Sequence, residues 1–256
     1  MRAIPALPPG YDSWTFDGGF AAARDDVAAA VREALRAETS LYAWARSHPD
    51  RDVFHGRGAT YAVRLGAVDV VVRHARRGGV PALFSEDWFT GTPRFFHELD
   101  LSLRLAAAAV PTPSVLAGVA YRAGVGYRAD VATARVAGVD LASRCFGERP
   151  PEGPARTALF QVVGYLIRRL HDAGFVHPDL QLRNLLVTGA DSAPPEAWLL
   201  DVDTCRASLP RDQGARRRNL ERFYRSWEKW NRRYGNRLTA TDRATFESAY
   251  AGGAGG

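Results

Sequence analysis

The stretch His177-Pro178-Asp179-Leu180-Gln181-Leu182-Arg183-Asn184 constrains this 256-residue sequence more than any other feature. It follows the clearest helical pattern of the chain, residues 155–173, in which Leu159, Val162, Val163, Leu166, Ile167 and Leu170 share one side and Gly174 marks the C-terminal stop. Two short predicted strands come next, Leu185 to Val187 and Trp198 to Leu200, and the second runs into Asp201-Val202-Asp203. An aspartate five residues ahead of an asparagine, with a second aspartate closing the next strand, supplies three groups. One carboxylate can accept a proton, and an amide and a second carboxylate can hold a hard cation.

The rest of the chain divides around this segment. Residues 20–46 place Phe20, Val27, Val31, Leu35, Leu41 and Trp44 at roughly helical spacing, so 1–50 is expected to be a helical extension. Val53 to His55, Thr60 to Leu65 and Ala67 to Arg73 are short, β-branched and aromatic, which predicts three antiparallel strands. Thr92 and Pro93 open a helix over 93–108, and a hairpin is expected over 115–136 with its turn near Arg122-Ala123-Gly124. A strand-rich lobe with one main helix therefore spans 51–136, and a mainly helical lobe spans 137–256, with helices at about 214–233 and 240–250. The fold class expected is α+β in two lobes.

Three further features precede the aspartate loop. Gly56-Arg57-Gly58 sits at a strand turn, where missing Cβ atoms let backbone N–H groups approach phosphate oxygens; taken alone the signal is weak, and a plain hairpin turn is its commoner explanation. Val70-Val71-Val72 closes on Arg73, and Glu98 lies mid-helix, so a strand cation and a helix carboxylate could pair. Lys229 is the only lysine among 34 Lys+Arg residues, and it lies far downstream. Any strand cation here has to be an arginine.

In this order the motifs resemble the protein-kinase-like fold. Within H-R-D-L-x-x-x-N, His177, Asp179, Leu180 and Asn184 match while Pro178 replaces the arginine; Asp201 stands at the D-F-G aspartate, with Val202-Asp203 for Phe-Gly. No A-P-E motif follows, and the 55 residues 202–256 leave little room for a peptide-binding platform. The chain is most similar to the lipopolysaccharide-core sugar kinase family of Gram-negative bacteria, in its branch acting on 3-deoxy-D-manno-octulosonic acid (Kdo). The carriers are Gly56-Arg57-Gly58, the run Val72-Arg73-His74-Ala75-Arg76-Arg77-Gly78-Gly79, Arg94-Phe95-Phe96-His97-Glu98, Val110-Pro111-Thr112-Pro113, Tyr127-Arg128-Ala129-Asp130, Leu170-His171-Asp172-Ala173-Gly174, the aspartate loop, Asp201-Val202-Asp203, and Asn219-Leu220-Glu221-Arg222 with Arg225-Ser226. In that family the strand cation is commonly arginine, and its loop usually reads H-A-D-L-N-A-H-N.

The resemblance implies ATP-dependent phosphorylation of the 4-hydroxyl of Kdo on Kdo-lipid A, by a peripheral protein at the cytoplasmic side of the inner membrane. It implies Asp179 as the proton acceptor, Asn184 and Asp201 as Mg²⁺ ligands, and Gly56, Arg57 and Gly58 over the ATP phosphates, with Arg73 held by Glu98. Arg76, Arg77 and Asp203 become candidates for substrate or phosphate contacts, and the cluster Arg216-Arg217-Arg218, Arg222, Arg225 for the substrate's acidic groups or an anionic membrane. A heptose or other small-molecule kinase and a non-catalytic scaffold remain alternatives.

Composition narrows the classes. No apolar run of about 18 residues exists and the N-terminus lacks a signal-peptide order. The net charge of +6 suits an anionic partner, yet no aromatic-basic stripe accompanies it, so no nucleic-acid partner is expected, nor any protein partner. Cys145 and Cys205 lack CxxC pairing and are expected as small buried residues, and His171 and His177 are not expected to bind metal.

Overall fold

A computed structural model describes residues 6–55, 58–76, 87–189, 194–208 and 212–252. They form two compact units: residues up to Asp100 with Ser114–Arg135, and Leu101–Pro113 with the chain from Val136 onward.

The first unit is built on a seven-stranded antiparallel sheet in the order β1-β2-β6-β7-β5-β4-β3. The strands are β1 (Tyr11–Phe16), β2 (Gly19–Arg24), β3 (Asp52–His55), β4 (Ala59–Leu65), β5 (Val68–His74), β6 (Val115–Ala123) and β7 (Gly126–Ala134). β3 to β7 fall where the sequence places them. The helical extension expected over 1–50 is different: Tyr11–Arg24 is a hairpin paired into the sheet through β2 and β6, and helix α1 (Asp25–Ala37) starts only after it, followed by α2 (Leu41–Ser47). The physical reason is burial on both faces. Phe20 and Ala22 pack with Phe95, Phe96 and Leu99 of α3 (Arg94–Ala107), whereas Ala21 and Ala23 pack with Val27 and Val31 of α1. A strand covered on both sides reads as a continuous apolar run, which periodicity cannot tell from a helix. Asp25 and Asp26 then give α1 an acidic first turn, favourable at the positive end of its dipole.

The second unit is organised around α5 (Gly153–Asp172), whose Leu159, Phe160, Val163, Leu166, Ile167 and Leu170 are all buried. Helix α7 (Ala240–Ala251) lies against it and α6 (Gln213–Tyr234) adds Phe223 and Trp227 to the same core. Four small elements were not expected from the sequence: α4 (Leu141–Phe146) and the two-residue strands β8 (Val139–Asp140), β9 (Phe175–Val176) and β12 (Arg206–Ala207). β8 pairs with β10 (Leu185–Thr188), which pairs with β11 (Glu196–Leu199); β9 (Phe175–Val176) pairs with β12 (Arg206–Ala207). Arg156 forks onto Asp242 with both contacts at 2.7 Å, and Asp242 also closes a capping box with Thr239. One charged pair thus ties the first turns of α5 and α7 together. Cys145 and Cys205 are buried and free, and burial pushes both thiols up to about 12. No helix among the described residues is long and apolar enough to cross a membrane.

Gly164 sets the approach of α7 to α5, because a Cβ there would sit 2.6 Å from the Phe246 carbonyl oxygen and 2.8 Å from Ala249 Cβ. In an open helix Gly→Ala stabilises by about 1 kcal/mol. Here overpacking reverses the sign, and Gly164→Ala is expected to lower the unfolding free energy by about 1–3 kcal/mol, measured by urea denaturation. A gain in stability would show that the two helices do not meet at this position.

Candidate active site

The loop after α5 is held from both ends. Gly174, at φ +76°, turns the chain out of the helix, and β9 carries it to His177. His177 is wholly buried; its Nε2–H donates to the Leu200 carbonyl at 3.0 Å, which fixes the tautomer because a carbonyl only accepts. Asn219 of α6 reads the His177 backbone on both sides: Oδ1 accepts the peptide N–H at 3.1 Å and Nδ2 donates to the carbonyl at 2.6 Å. The same Oδ1 accepts His171 Nε2–H at 2.9 Å, and the Tyr250 hydroxyl donates to His171 Nδ1 at 2.8 Å. Burial holds both imidazoles below their ordinary pKa, so they stay neutral. Both ring nitrogens of His171 and the Nε2 of His177 take part in this network.

Pro178 is accounted for by geometry. The His177 carbonyl accepts the Leu180 N–H at 2.9 Å, which makes Pro178 the second residue of a tight turn. The fixed φ of proline suits that position. Asn184 closes the other end of the loop, with Nδ2 donating to the Asp179 carbonyl at 2.8 Å and its own carbonyl accepting Leu200 N–H at 2.9 Å. That leaves Oδ1 as the amide's oxygen donor. Asp201 follows directly in left-handed backbone, φ 54° and ψ 42°, and its carboxylate side is exposed while Val202 drops into the core at 4% exposure. Valine therefore fills an interior position where the kinase pattern has phenylalanine.

Asp179 itself is partly exposed. Its Oδ1 takes a contact of 2.6 Å from Arg222 Nη2, and its Oδ2 accepts from Gln181 Nε2 at 3.1 Å. Ser226 Oγ accepts the Leu182 N–H at 3.2 Å. Asn219, Arg222 and Ser226 are spaced by three and four residues, one stripe of α6, and grip His177, Asp179 and Leu182 in turn. The sequence marked Asn219, Arg222 and Ser226 as carriers of the family resemblance without giving them this role, and grouped Arg222 with a substrate- or membrane-facing cluster. Arg216 has a local role too, bonding the His171 carbonyl and Asp172, each at 3.0 Å, beside the C-terminus of α5. Arg217, Arg218 and Arg225 of that cluster are exposed.

In the first unit Arg73 of β5 meets Glu98 of α3 at 2.6 Å, with Glu98 only 5% exposed. The expected pair is formed across 25 residues of sequence. Gly58 lies beneath Arg76, where a Cβ would come within 3.1 Å of the guanidinium carbon. Gly56, Arg57 and Arg77 lie outside the described residues. Next to Arg73, His74 Nδ1 bonds Asp130 Oδ1 at 2.6 Å, and Asp130, wholly buried, also accepts the Tyr42 N–H and the Tyr121 hydroxyl, both at 2.9 Å. The hydrogen bond to Asp130 raises the His74 pKa.

Among the described residues no three His, Cys, Asp or Glu side chains cluster to hold a metal. A closed cage is therefore not offered. Mg²⁺ ordinarily takes one or two protein oxygens and completes its shell with phosphate and water, and Asp201 with Asn184 fits that donor set.

The histidines give opposite pH signatures. His171 and His177 have lowered pKa values, so their stabilisation is complete above the unfolded pKa near 6.5 and is lost as pH falls through that value towards the folded pKa. His74, raised, stabilises below the unfolded value and loses that contribution as pH climbs through the folded one. Acidification from about pH 7.5 to about 5.5 is expected to reduce hydrogen-exchange protection at the His177, Leu180 and Leu182 amides and to spare the β5–β7 amides, after correction for intrinsic rates. Uniform loss in both places would contradict the assignment.

Residues 43–250 match the family described as "Lipopolysaccharide kinase (Kdo/WaaP) family". A 3-deoxy-D-manno-octulosonic acid kinase of Vibrio parahaemolyticus serotype O3:K6 is 35% identical over 180 residues, covering 68% of this chain and 71% of its own. One from Actinobacillus succinogenes is 34% identical over 216 residues, covering 81% and 87%. The solved structure of WaaP in complex with acyl carrier protein superposes with a TM-score of 0.54 over 78% of each chain at 20% identity, a likeness of fold. The family match spans both the Arg73–Glu98 pair and the loop gripped by α6, and the chain is a kinase belonging to the lipopolysaccharide kinase (Kdo/WaaP) family.

Proposed function

We propose that this kinase transfers the γ-phosphoryl group of ATP to the 4-hydroxyl of Kdo on Kdo-lipid A. The observation that carries the acceptor is the pair of curated Kdo kinases, 34–35% identical over most of their length. The residue chemistry is consistent with it. The acceptor oxygen bonds to the γ-phosphorus as the bond from that phosphorus to the β–γ bridging oxygen breaks; ADP leaves and the hydroxyl proton passes to the Asp179 carboxylate. Mg²⁺ held by Asn184 Oδ1 and the Asp201 carboxylate would neutralise phosphate charge. In this reading the first unit is the nucleotide-binding lobe and the second the catalytic lobe. Arg73, kept in place by buried Glu98, is assigned to the ATP phosphates together with Gly56, Arg57 and Gly58, and Arg76, Arg77 and Asp203 are assigned to acceptor or phosphate contacts.

The same reading puts the protein at the cytoplasmic face of the inner membrane as a peripheral enzyme. Exposed Arg217, Arg218 and Arg225 on α6 are suited to anionic headgroups.

Transfer of radiolabelled γ-phosphate to a Kdo-glycolipid is the direct test. Asp179→Ala is expected to lower turnover by about 10²–10⁴-fold, the share a positioned base contributes, with an unchanged melting temperature. Glu98→Gln is expected to raise KM for ATP about tenfold and leave KM for the glycolipid near the wild-type value. Undiminished turnover in Asp179→Ala would overturn the reading.

A further inference from the structure

We propose that Arg222 gates Asp179: it pairs with the aspartate as seen in this structure and releases it when an acidic acceptor offers the guanidinium a carboxylate of its own. The inference rests on the acceptor being a sugar acid, as proposed above, and assigns that acid group a partner.

Three observations lead there. First, both oxygens of Asp179 are engaged by donors, Oδ1 by Arg222 at 2.6 Å and Oδ2 by Gln181 at 3.1 Å. Each oxygen keeps a further lone pair, but a donor already seated on it narrows the directions from which an incoming hydroxyl can approach. Second, the pair is wet. Arg222 and Asp179 side chains are 29% and 37% exposed, whereas the Arg73–Glu98 and Arg156–Asp242 pairs each bury the acid to 7% or less. Exposed ion pairs contribute about 0–1 kcal/mol, so exchanging one carboxylate for another costs little. Third, the backbone on either side cannot follow. Asn219 and Ser226, three residues before and four after, are buried and bonded to the His177 and Leu182 backbone. Only the Arg222 side chain has freedom to swing, and Gln181 Oε1, 3.4 Å from Nη2, lies on its way.

The acceptor's carboxylate is the group that completes the exchange. A guanidinium binds a carboxylate through two parallel hydrogen bonds, and a neutral sugar has nothing equivalent to offer. Acid-sugar specificity then shows in turnover as well as in binding, because an acceptor without the acid leaves the proton acceptor covered. With Arg222 moved, the transfer balances as before: the new P–O bond forms at the acceptor hydroxyl, the bond to ADP breaks, and the proton goes to the freed Asp179 oxygen.

The test crosses two enzymes with two acceptors: wild-type and Arg222→Gln full-length protein, each given a Kdo-glycolipid and the same glycolipid with its carboxylate converted to the carboxamide. Wild-type kcat is expected to fall about 10²-fold on the carboxamide, the lower end of a positioned base's contribution. Arg222→Gln is expected to turn over both acceptors within about twofold of each other, with a raised KM for the acid. The same fall in both enzymes, or no fall in the wild type, overturns gating while leaving the acceptor assignment standing. Failure of wild-type protein to phosphorylate either glycolipid removes the acceptor assignment and gating with it. If Arg222→Gln does not fold, Arg222→Lys decides by the same ratio: a smaller fall than wild type supports exchange through the forked guanidinium, and an equal fall contradicts it.

Discussion

The side-chain amide of Asn219 is the contact on which the site depends. Its oxygen accepts from His171 and from the His177 peptide, and its nitrogen donates to the His177 carbonyl, so a single residue fixes the end of α5, the start of the aspartate loop and the rotation of α6. The arrangement works only with neutral imidazoles, and burial keeps them neutral. An aspartate there would lose the donor and leave the His177 carbonyl short of one partner. With α6 locked by Asn219, helical spacing alone delivers Arg222 to Asp179 and Ser226 to Leu182.

Three charged pairs illustrate how burial sorts structure from chemistry. Arg156–Asp242 and Arg73–Glu98 each hide their acid, and breaking such a pair from one side costs about 3–5 kcal/mol. They are fixtures of their units. Asp179–Arg222 has comparable distance and much more water, so it contributes little to stability and is free to change partner. The acid expected to carry proton transfer is thus the one left in the most adaptable setting.

Sequence alone carried the local features well. The aspartate loop, α5 with its Gly174 stop, the β3–β5 strands and the β6–β7 hairpin are all written in periodicity and short spacing, and they lie within a residue or a few of the observed elements. What it concealed was long-range or two-sided. β2 looked helical because Phe20–Ala23 are buried on both faces. Asn219 and Arg222 sit 42 and 43 residues from their loop partners, so no local rule links them. The spacing 219, 222, 226 puts three polar residues on one face of α6, but the helix is rich in arginine throughout, so that spacing was a weak signal. Pro178, a departure from the kinase pattern in the sequence, becomes a turn residue once the His177–Leu180 hydrogen bond is in view.

The proposed reaction leaves its mark on the Kdo residue itself. Tandem mass spectrometry of a Kdo-terminated lipid A precursor, incubated with the full-length protein, ATP and Mg²⁺, tests it most directly. A single added phosphate is expected, carried by the Kdo residue and absent when ATP is omitted. An unmodified glycolipid, or a phosphate found on any other sugar, would contradict it.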